Sequence, residues 1–205
     1  MYFNVSTDSR KSWDVAFGGD RGRNAAGGYW GSVYTNVSAQ PLKRLQTSVF
    51  LRYEQGKDTQ WIDNRDADGD GTIDHVYGTL YRNVVDVTVR GTYAFSPDLT
   101  LQAYLQPFVA VGDYQDIRRL ARPRSYEFAP VAAAANPDFN STSVRGNVVF
   151  RWEYLRGSTL FVVWNLAQAH QGRPGDFRAF RDLGSAFGAG ADHTVLVKLT
   201  YWLNR

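Results

Sequence analysis

The sequence contains no cysteine and only one methionine among its 205 residues. Without cysteine the chain can form no disulfide framework, thiolate metal site or thiol nucleophile. It also lacks any apolar run near the roughly 20 residues that a spanning helix needs, which excludes a helical membrane protein. Positive charges exceed negative ones by only three, which is far below the footprint of a nucleic-acid-binding protein. These absences exclude several function classes and leave a fold that consists mainly of β-strands.

Strict alternation of apolar and polar residues dominates the stretch 84–111. Val85 and Val87 fall on one face of it, and Asp86 and Thr88 fall on the other. The same alternation resumes after a short turn at 96–99. A side-chain period of two predicts a pair of antiparallel strands. The high aromatic content, 15%, suits the pleated surface of a sheet.

Similar alternation recurs along the whole chain, so the sequence predicts an all-β fold. We expect an antiparallel up-and-down transmembrane β-barrel of about 8 to 10 strands, with short turns at one end and long loops at the other. The range 1–205 is expected to form a single β-barrel domain that is a C-terminal portion of a larger parent. Residues 1–11 are expected to form an N-terminal stub strand and turn. Closure is expected through pairing of 192–203 with 12–21.

Connection lengths favour a membrane barrel over a soluble one. Short connections and longer ones alternate along the chain, as in outer-membrane barrels. The short ones are expected at 8–11, 40–43, 96–98 and 155–158, and the longer ones at 21–27, 55–74, 113–141 and 167–191. Residues 75–95 are expected to form one long strand that projects past the membrane, with a turn at 82–83 as the alternative. A short amphipathic helix is possible in the last loop, because Phe177, Phe180 and Phe187 have rough helical spacing.

Two further residue sets fit a membrane barrel. Charges of both signs on the polar face could pair with one another and with water in a lumen. This lumen polar network comprises Arg44, Arg52, Glu54, Asp86, Arg90, Arg145, Arg151, Glu153 and Lys198. Aromatic residues near the ends of the apolar faces fit a girdle at the membrane interface. This aromatic girdle comprises Tyr53, Tyr93, Phe95, Trp152, Tyr154 and Tyr201.

One motif carries recognisable chemistry, the acidic stretch 66–74. Calcium takes six to eight oxygen ligands, and aspartates at alternate positions supply them in EF-hand loops. The predicted calcium ligands are Asp66, Asp68, Asp70, Thr72 and Asp74, with the Thr72 carbonyl at position 7. Gly71 would permit the sharp turn, but position 12 is Tyr77 instead of glutamate, and the flanks resemble strands. A flexible acidic loop tip is the alternative interpretation.

Other signals are weaker. A cluster of arginines in the loop 113–141 could bind lipopolysaccharide phosphates, since guanidinium groups match phosphate geometry, or could simply be solvated. The cluster comprises Arg118, Arg119, Arg122 and Arg124. No nucleophile motif places serine, histidine and an acid together, and no glycine-rich phosphate cradle is present. The sequence therefore predicts a protein that is not an enzyme and does not bind nucleic acid.

Several segments resemble a known bacterial family. They are 93–108 (YAFSPDLTLQAYLQPF), 120–126 (LARPRSY), 145–154 with 157–161, and the ending 196–203 (LVKLTYWL). Together they resemble the C-terminal region of the domain-of-unknown-function 5916 family, most clearly over residues 75–203. The resemblance implies a carbohydrate-binding-like domain ahead of an outer-membrane barrel, a larger parent protein and a Gram-negative outer-membrane location. It implies no reaction and no catalytic residues.

The leading functional hypothesis is an outer-membrane β-barrel that acts as a membrane anchor or narrow pore, with a calcium-binding extracellular loop. Its expected partners are outer-membrane lipid and lipopolysaccharide. The alternative is a soluble lipocalin-like barrel that binds an apolar small molecule, with the apolar faces inward. Alternation alone cannot separate the two, because both barrels have one apolar and one polar face. The apolar face is on the outside of a membrane barrel and on the inside of a soluble one.

Overall fold

The computed structural model describes residues 1–131 and 137–203, and its main feature is a ten-stranded antiparallel sheet. Residues 132–136, which fall within the expected loop 113–141, and residues 204 and 205 lie outside the described part. The strands are β1 Tyr2–Ser6, β2 Trp13–Arg23, β3 Tyr29–Leu42, β4 Leu45–Arg65, β5 Asp74–Ser96, β6 Leu99–Leu120, β7 Phe128–Pro130, β8 Phe139–Leu155, β9 Ser158–Gln171 and β10 Ala191–Leu199, and one helix, α1, spans Ala179–Phe187.

The two longest strands, β5 and β6, form the hairpin that the alternation predicts. Val85 lies opposite Val109, and Tyr93 lies opposite Leu101. The 23 residues of β5 form one continuous strand, as expected for 75–95. The alternative turn at 82–83 is wrong, because Arg82 and Asn83 pair in register with both β4 and β6.

Strand order follows the chain, with β7 as a short addition beside β6. Neighbouring strands are joined by short connections at one end of the sheet, namely 7–12, 43–44, 97–98 and 156–157. The longer connections 24–28, 66–73, 121–138 and 172–190 lie at the other end. The predicted asymmetry between turns and loops is therefore confirmed except at 7–12, which has six residues against the five of 24–28.

All four long loops are shorter than expected, because the strands continue into them, as β2 does into 21–23. The range 55–65 belongs to β4, the range 113–120 to β6, and the range 167–171 to β9. Their side chains are mostly polar or charged, so hydrophobic alternation gives no signal there. Backbone pairing persists nonetheless, as between Lys57 and Tyr81.

The expected closure of the barrel is wrong in its pairing. One edge of β2, which covers most of 12–21, is occupied by β1 and its other edge by β3. In the described part of the chain, β10 pairs only with β9, and the sheet is not closed by hydrogen bonds. The ordered path contains nine antiparallel strands, so β1 and β10 run in the same direction. Direct joining of these edges would give a parallel pair.

The strand register assigns the alternating residues to two faces. Directly paired residues share a face of a sheet. What we call the apolar face contains the row Val15, Val37, Val49, Val89, Leu105, Gly146, Leu166 and His193. The polar face contains the row Asp14, Ser38, Ser48, Arg90, Tyr104, Asn147, Asn165 and Thr194. The predicted division into faces thus extends across eight strands.

The connection 172–190, which we call the strap, covers part of the apolar face. Val85, Val109 and Val111 form a buried cluster that packs against Phe177, Ala179 and Leu183 of the strap. At the long-loop end the apolar face is therefore covered by protein. Near the short turns the same face is exposed.

The short helix expected within 167–191 is present as α1, but its phenylalanines do not form its buried face. Phe180 is 92% exposed, whereas Asp182 and Ala186 are buried. Phe177 precedes the helix and stacks on Tyr53, with 6.1 Å between ring centroids. Within the described residues, no helix is long and apolar enough to cross a membrane.

Polar contacts attach the strap to the sheet at both of its ends. The Gly172 amide donates to the Asn140 carbonyl at 2.7 Å, and the Gln168 side chain donates to the Ala189 carbonyl at 2.9 Å. Between these ends, Arg181 contacts the carboxylates of Asp176 at 2.6 Å and Asp182 at 2.8 Å. These bonds satisfy charges that would otherwise be costly to place beside an apolar cluster.

Acid should loosen the strap. The hydrogen bond from Arg181 holds the pKa of Asp176 below its ordinary value of 3.8. A carboxyl group with a lowered folded-state pKa contributes stability that is present above its unfolded pKa and is lost as pH falls through the folded one. We expect amide hydrogen exchange across the strap to increase below about pH 4, while β5 stays protected. The variant Asp176→Asn should remove this pH dependence, and an unchanged profile would contradict the role of the ion pair.

Candidate functional site: the acidic loop and the polar face

The loop 66–73 joins β4 to β5 and is folded around the side chain of Asp66. The two carboxylate oxygens of Asp66 accept bonds from the Gly69 amide at 2.7 Å and the Gly71 amide at 3.0 Å. Gly69 and Gly71 have φ of +84° and +86°. These left-handed conformations favour glycine, so Gly71 permits the turn as the motif predicts.

Three of the predicted calcium ligands lie together in this loop. The ligand oxygens of Asp66, Asp68 and Asp74 are all within 4.8 Å of one another. Asp74, the first residue of β5, is only 8% exposed. Asp70 lies outside the cluster, and its Oδ1 accepts bonds from the amide and hydroxyl of Thr72 at 2.8 and 2.6 Å. These bonds lower the pKa of Asp70.

Arg119 is part of this cluster, which the sequence did not predict. Its guanidinium bridges Asp68 at 2.8 Å and Asp74 at 3.1 Å. The bond that Arg119 donates to Asp74 raises the pKa of Arg119. Arg119 comes from the end of β6, where it pairs with Val76. The position of Arg119 beside the acidic loop follows from the register of the extended β5–β6 hairpin, and only knowledge of that register could have predicted it.

The other clustered arginines mostly contact protein groups. Arg118 lies 4.3 Å from the Phe128 ring centroid and donates to the Thr59 hydroxyl. Arg122 forms an ion pair with Glu127. Arg118 and Arg119 also belong to β6 and not to a loop, which corrects their expected location. Phosphate binding by this cluster stays a prediction.

The charged residues of the predicted lumen network share the polar face, and neighbours among them interact. Arg52 and Glu54 form an ion pair at 3.1 Å, and Arg82, absent from the predicted set, also contacts Glu54. Arg151 and Glu153 form another pair at 3.1 Å.

Other residues of the predicted network bond to uncharged groups. Asp86 accepts a bond from Gln106 at 2.9 Å, and Arg44 donates to the Phe95 carbonyl at 3.0 Å. Arg90 stacks on Tyr104, and the register places Arg145 and Lys198 on the same face.

The residues of the predicted aromatic girdle separate into two groups. Tyr93 packs edge-on against Phe95 at 4.6 Å, and Trp152 packs against Tyr154 at 6.0 Å, both near the short turns. Tyr201, 63% exposed, follows β10 at the same end. Tyr53 instead lies under the strap and donates to Asn83 at 2.7 Å. Tyr53 therefore belongs to the packing of the strap.

Comparisons with known proteins agree with the resemblance in the sequence. Searches of curated proteins and of solved structures give no match. The family model described as Domain of unknown function (DUF5916) matches residues 1–204, which is essentially the whole chain. The match extends the resemblance from 75–203 to the N-terminal strands. This protein therefore belongs to the family of the domain of unknown function DUF5916.

Proposed function

We propose that this chain forms part of the wall of an outer-membrane β-barrel, with its apolar face toward lipid. The observation that carries the proposal is the exposure of that face near the short turns. Val49, Leu51 and Val89 are 43%, 46% and 39% exposed, and Val195 and Val197 are 62% and 66% exposed. Exposed apolar surface that continues over neighbouring strands marks an interaction surface, and lipid suits a band beside an aromatic girdle.

The lengths of the strands support the same proposal. A membrane strand needs about 9–11 residues, whereas β4, β5 and β6 have 21, 23 and 22. The half near the short turns would cross the membrane, and the half beneath the strap would project from it. The projecting half would carry the acidic loop on the outside, next to lipopolysaccharide.

The soluble lipocalin-like barrel remains a second candidate, because Val85, Val109 and Val111 are covered by protein. Detergent dependence separates the two. We expect the purified protein to stay monodisperse in detergent micelles and to aggregate when detergent is removed. A protein that stays monodisperse without detergent would favour the soluble barrel.

The two open edges of the sheet indicate where a barrel would continue. A row of unpaired backbone groups on an edge strand binds another strand readily. Because β1 and β10 run in the same direction, an antiparallel wall that joins them needs an odd number of further strands. We propose that a larger parent protein supplies these strands. Conductance in planar bilayers would show a pore, whereas its absence would indicate a membrane anchor.

We also propose that the acidic loop binds calcium through Asp66, Asp68 and Asp74. The three carboxylates and Arg119 together carry two net negative charges, which a divalent cation would neutralise. Calcium prefers carboxylate oxygens in a flexible loop. Since no glutamate stands at position 12 of the motif, we expect weak binding, on the order of 0.1–1 mM.

Calorimetric titration tests the calcium proposal. We expect heat of binding for the native protein and at least about a tenfold weaker association for Asp68→Ala, which removes a ligand. Asp70→Ala should have a smaller effect because Asp70 lies outside the cluster. Asp98→Ala, in a turn at the opposite end of the sheet, is the matched control. The absence of heat at millimolar calcium, or equal titrations of native and Asp68→Ala proteins, would reject the site.

A further inference from the structure

A groove lies on the polar face at the short-turn end of the sheet. Its volume is about 420 Å³, and it is lined by the turn 7–12 and by strands β2 to β5. Its lining consists mainly of hydroxyl and amide side chains with three charged residues, Lys11, Asp14 and Arg90. A volume of this size matches a small ligand. Because the groove opens on the polar face, it does not depend on what covers the apolar face.

Several polar side chains of the groove are without a protein partner among the described residues, whereas Asn147 and Asn165 on the same face bind each other at 2.6 Å. Within residues 1–131 and 137–203, the groove side chains of Lys11, Asp14, Gln46, Ser48 and Thr92 form no hydrogen bond or ion pair with protein. Their donors and acceptors are therefore free to bind a solute.

Arg90 is held in position without neutralisation of its charge. Its guanidinium lies 5.3 Å from the centroid of the Tyr104 ring. Tyr104 donates to Gln106 at 2.6 Å, and Gln106 donates to Asp86 at 2.9 Å. Arg90 itself forms no ion pair with a carboxylate of the described residues. A positioned arginine of this kind suits bidentate recognition of an anionic group.

We infer that this groove binds a small polyhydroxylated solute with an anionic group, of the size of a monosaccharide acid or phosphate. Arg90 and Lys11 would bind the carboxylate or phosphate. Gln46, Ser48 and Thr92 would bond to hydroxyl groups, and Asp14 would accept a bond from one of them. The excess of one positive charge in the groove disfavours a cationic solute.

Titration of the protein in detergent micelles with four probes tests the inference, using glucuronate, glucose 6-phosphate, glucose and acetate. We expect saturable binding of one of the two anionic sugars, weaker binding of glucose and weaker binding of acetate. Comparison of the affinities for glucuronate and glucose 6-phosphate shows whether the groove prefers a carboxylate or a phosphate. Saturable binding of neither anionic sugar would overturn the inference, as would equal binding of glucose or acetate.

Variants locate the binding in the groove. Arg90→Gln should weaken the anionic sugar at least about tenfold, because it removes a charge-assisted pair. Arg151→Gln, a matched change on the same face outside the groove, should leave binding intact. Thr92→Val should weaken the anionic sugar but not acetate, since only the sugar uses the hydroxyl. Equal affinities of the native and Arg90→Gln proteins would overturn the inference even if a sugar binds.

Discussion

The variant Val89→Arg is expected to fail to integrate into membranes. Val89 lies in the middle of β5 on the exposed part of the apolar face, and it pairs with Val49 and Leu105. Arginine on the lipid face of a membrane barrel costs about 2–4 kcal/mol near the bilayer midplane. We expect the variant to be absent from the outer-membrane fraction. In lipid vesicles, we expect the urea concentration at the midpoint of its unfolding to fall.

Thr88→Arg is the matched control for this experiment. Thr88 is the preceding residue of the same strand, and it shares the polar face with Asp86 and Arg90. Arginine at this position can reach water or a carboxylate, so membrane integration should continue. If Thr88→Arg is lost from the membrane while Val89→Arg integrates, the assignment of the two faces is reversed.

The variant Val109→Asp is expected to release the strap. Val109 is fully buried, with 0% exposure, beneath Phe177 and Leu183. An unpaired carboxylate buried at this position would cost about 3–5 kcal/mol, so the strap should detach to let water reach it. Trypsin should then cleave rapidly after Arg178, a residue near the start of α1 that is already exposed.

Val149→Asp provides the comparison for strap release. It makes the same chemical change in β8, but Val149 lies opposite Gln102 on the polar face and away from the strap. Cleavage after Arg178 should stay slow in this variant. Equally rapid cleavage of the two variants would show that the effect comes from loss of the sheet. Slow cleavage of both would show that the strap does not depend on Val109.

The sequence predicts the strands best where side chains alternate strictly. The stretch 84–111 is assigned correctly because its apolar residues pair across the hairpin, as Val85 does with Val109 and Val89 with Leu105. The outer halves of β4 and β6 are missed because their polar residues give no period of two. Those halves are held by backbone pairing with β5, which side-chain pattern does not reveal.

Long-range contacts account for the remaining differences. The motif correctly places Asp66 and Asp68 in one turn, because Gly69 and Gly71 allow positive φ. It cannot place Arg119, which lies 45 residues from Asp74 along the chain. The strap is missed for a similar reason, since nothing local indicates that Phe177 stacks on Tyr53. The β1–β2 pairing excludes the expected pairing of 192–203 with 12–21. It depends on strand register, which the composition of the sequence does not reveal.

The most direct test of whether lipid covers the apolar face is a spin-label scan of β5 in lipid vesicles. Single cysteines would carry the label at each position from 86 to 92. The chain has no native cysteine, so each label reports one site. The odd positions, which include Val87 and Val89, should be accessible to oxygen dissolved in lipid. The even positions, which include Asp86 and Arg90, should be accessible to a water-soluble nickel complex. Nickel accessibility at the odd positions would contradict the proposal that lipid covers the apolar face.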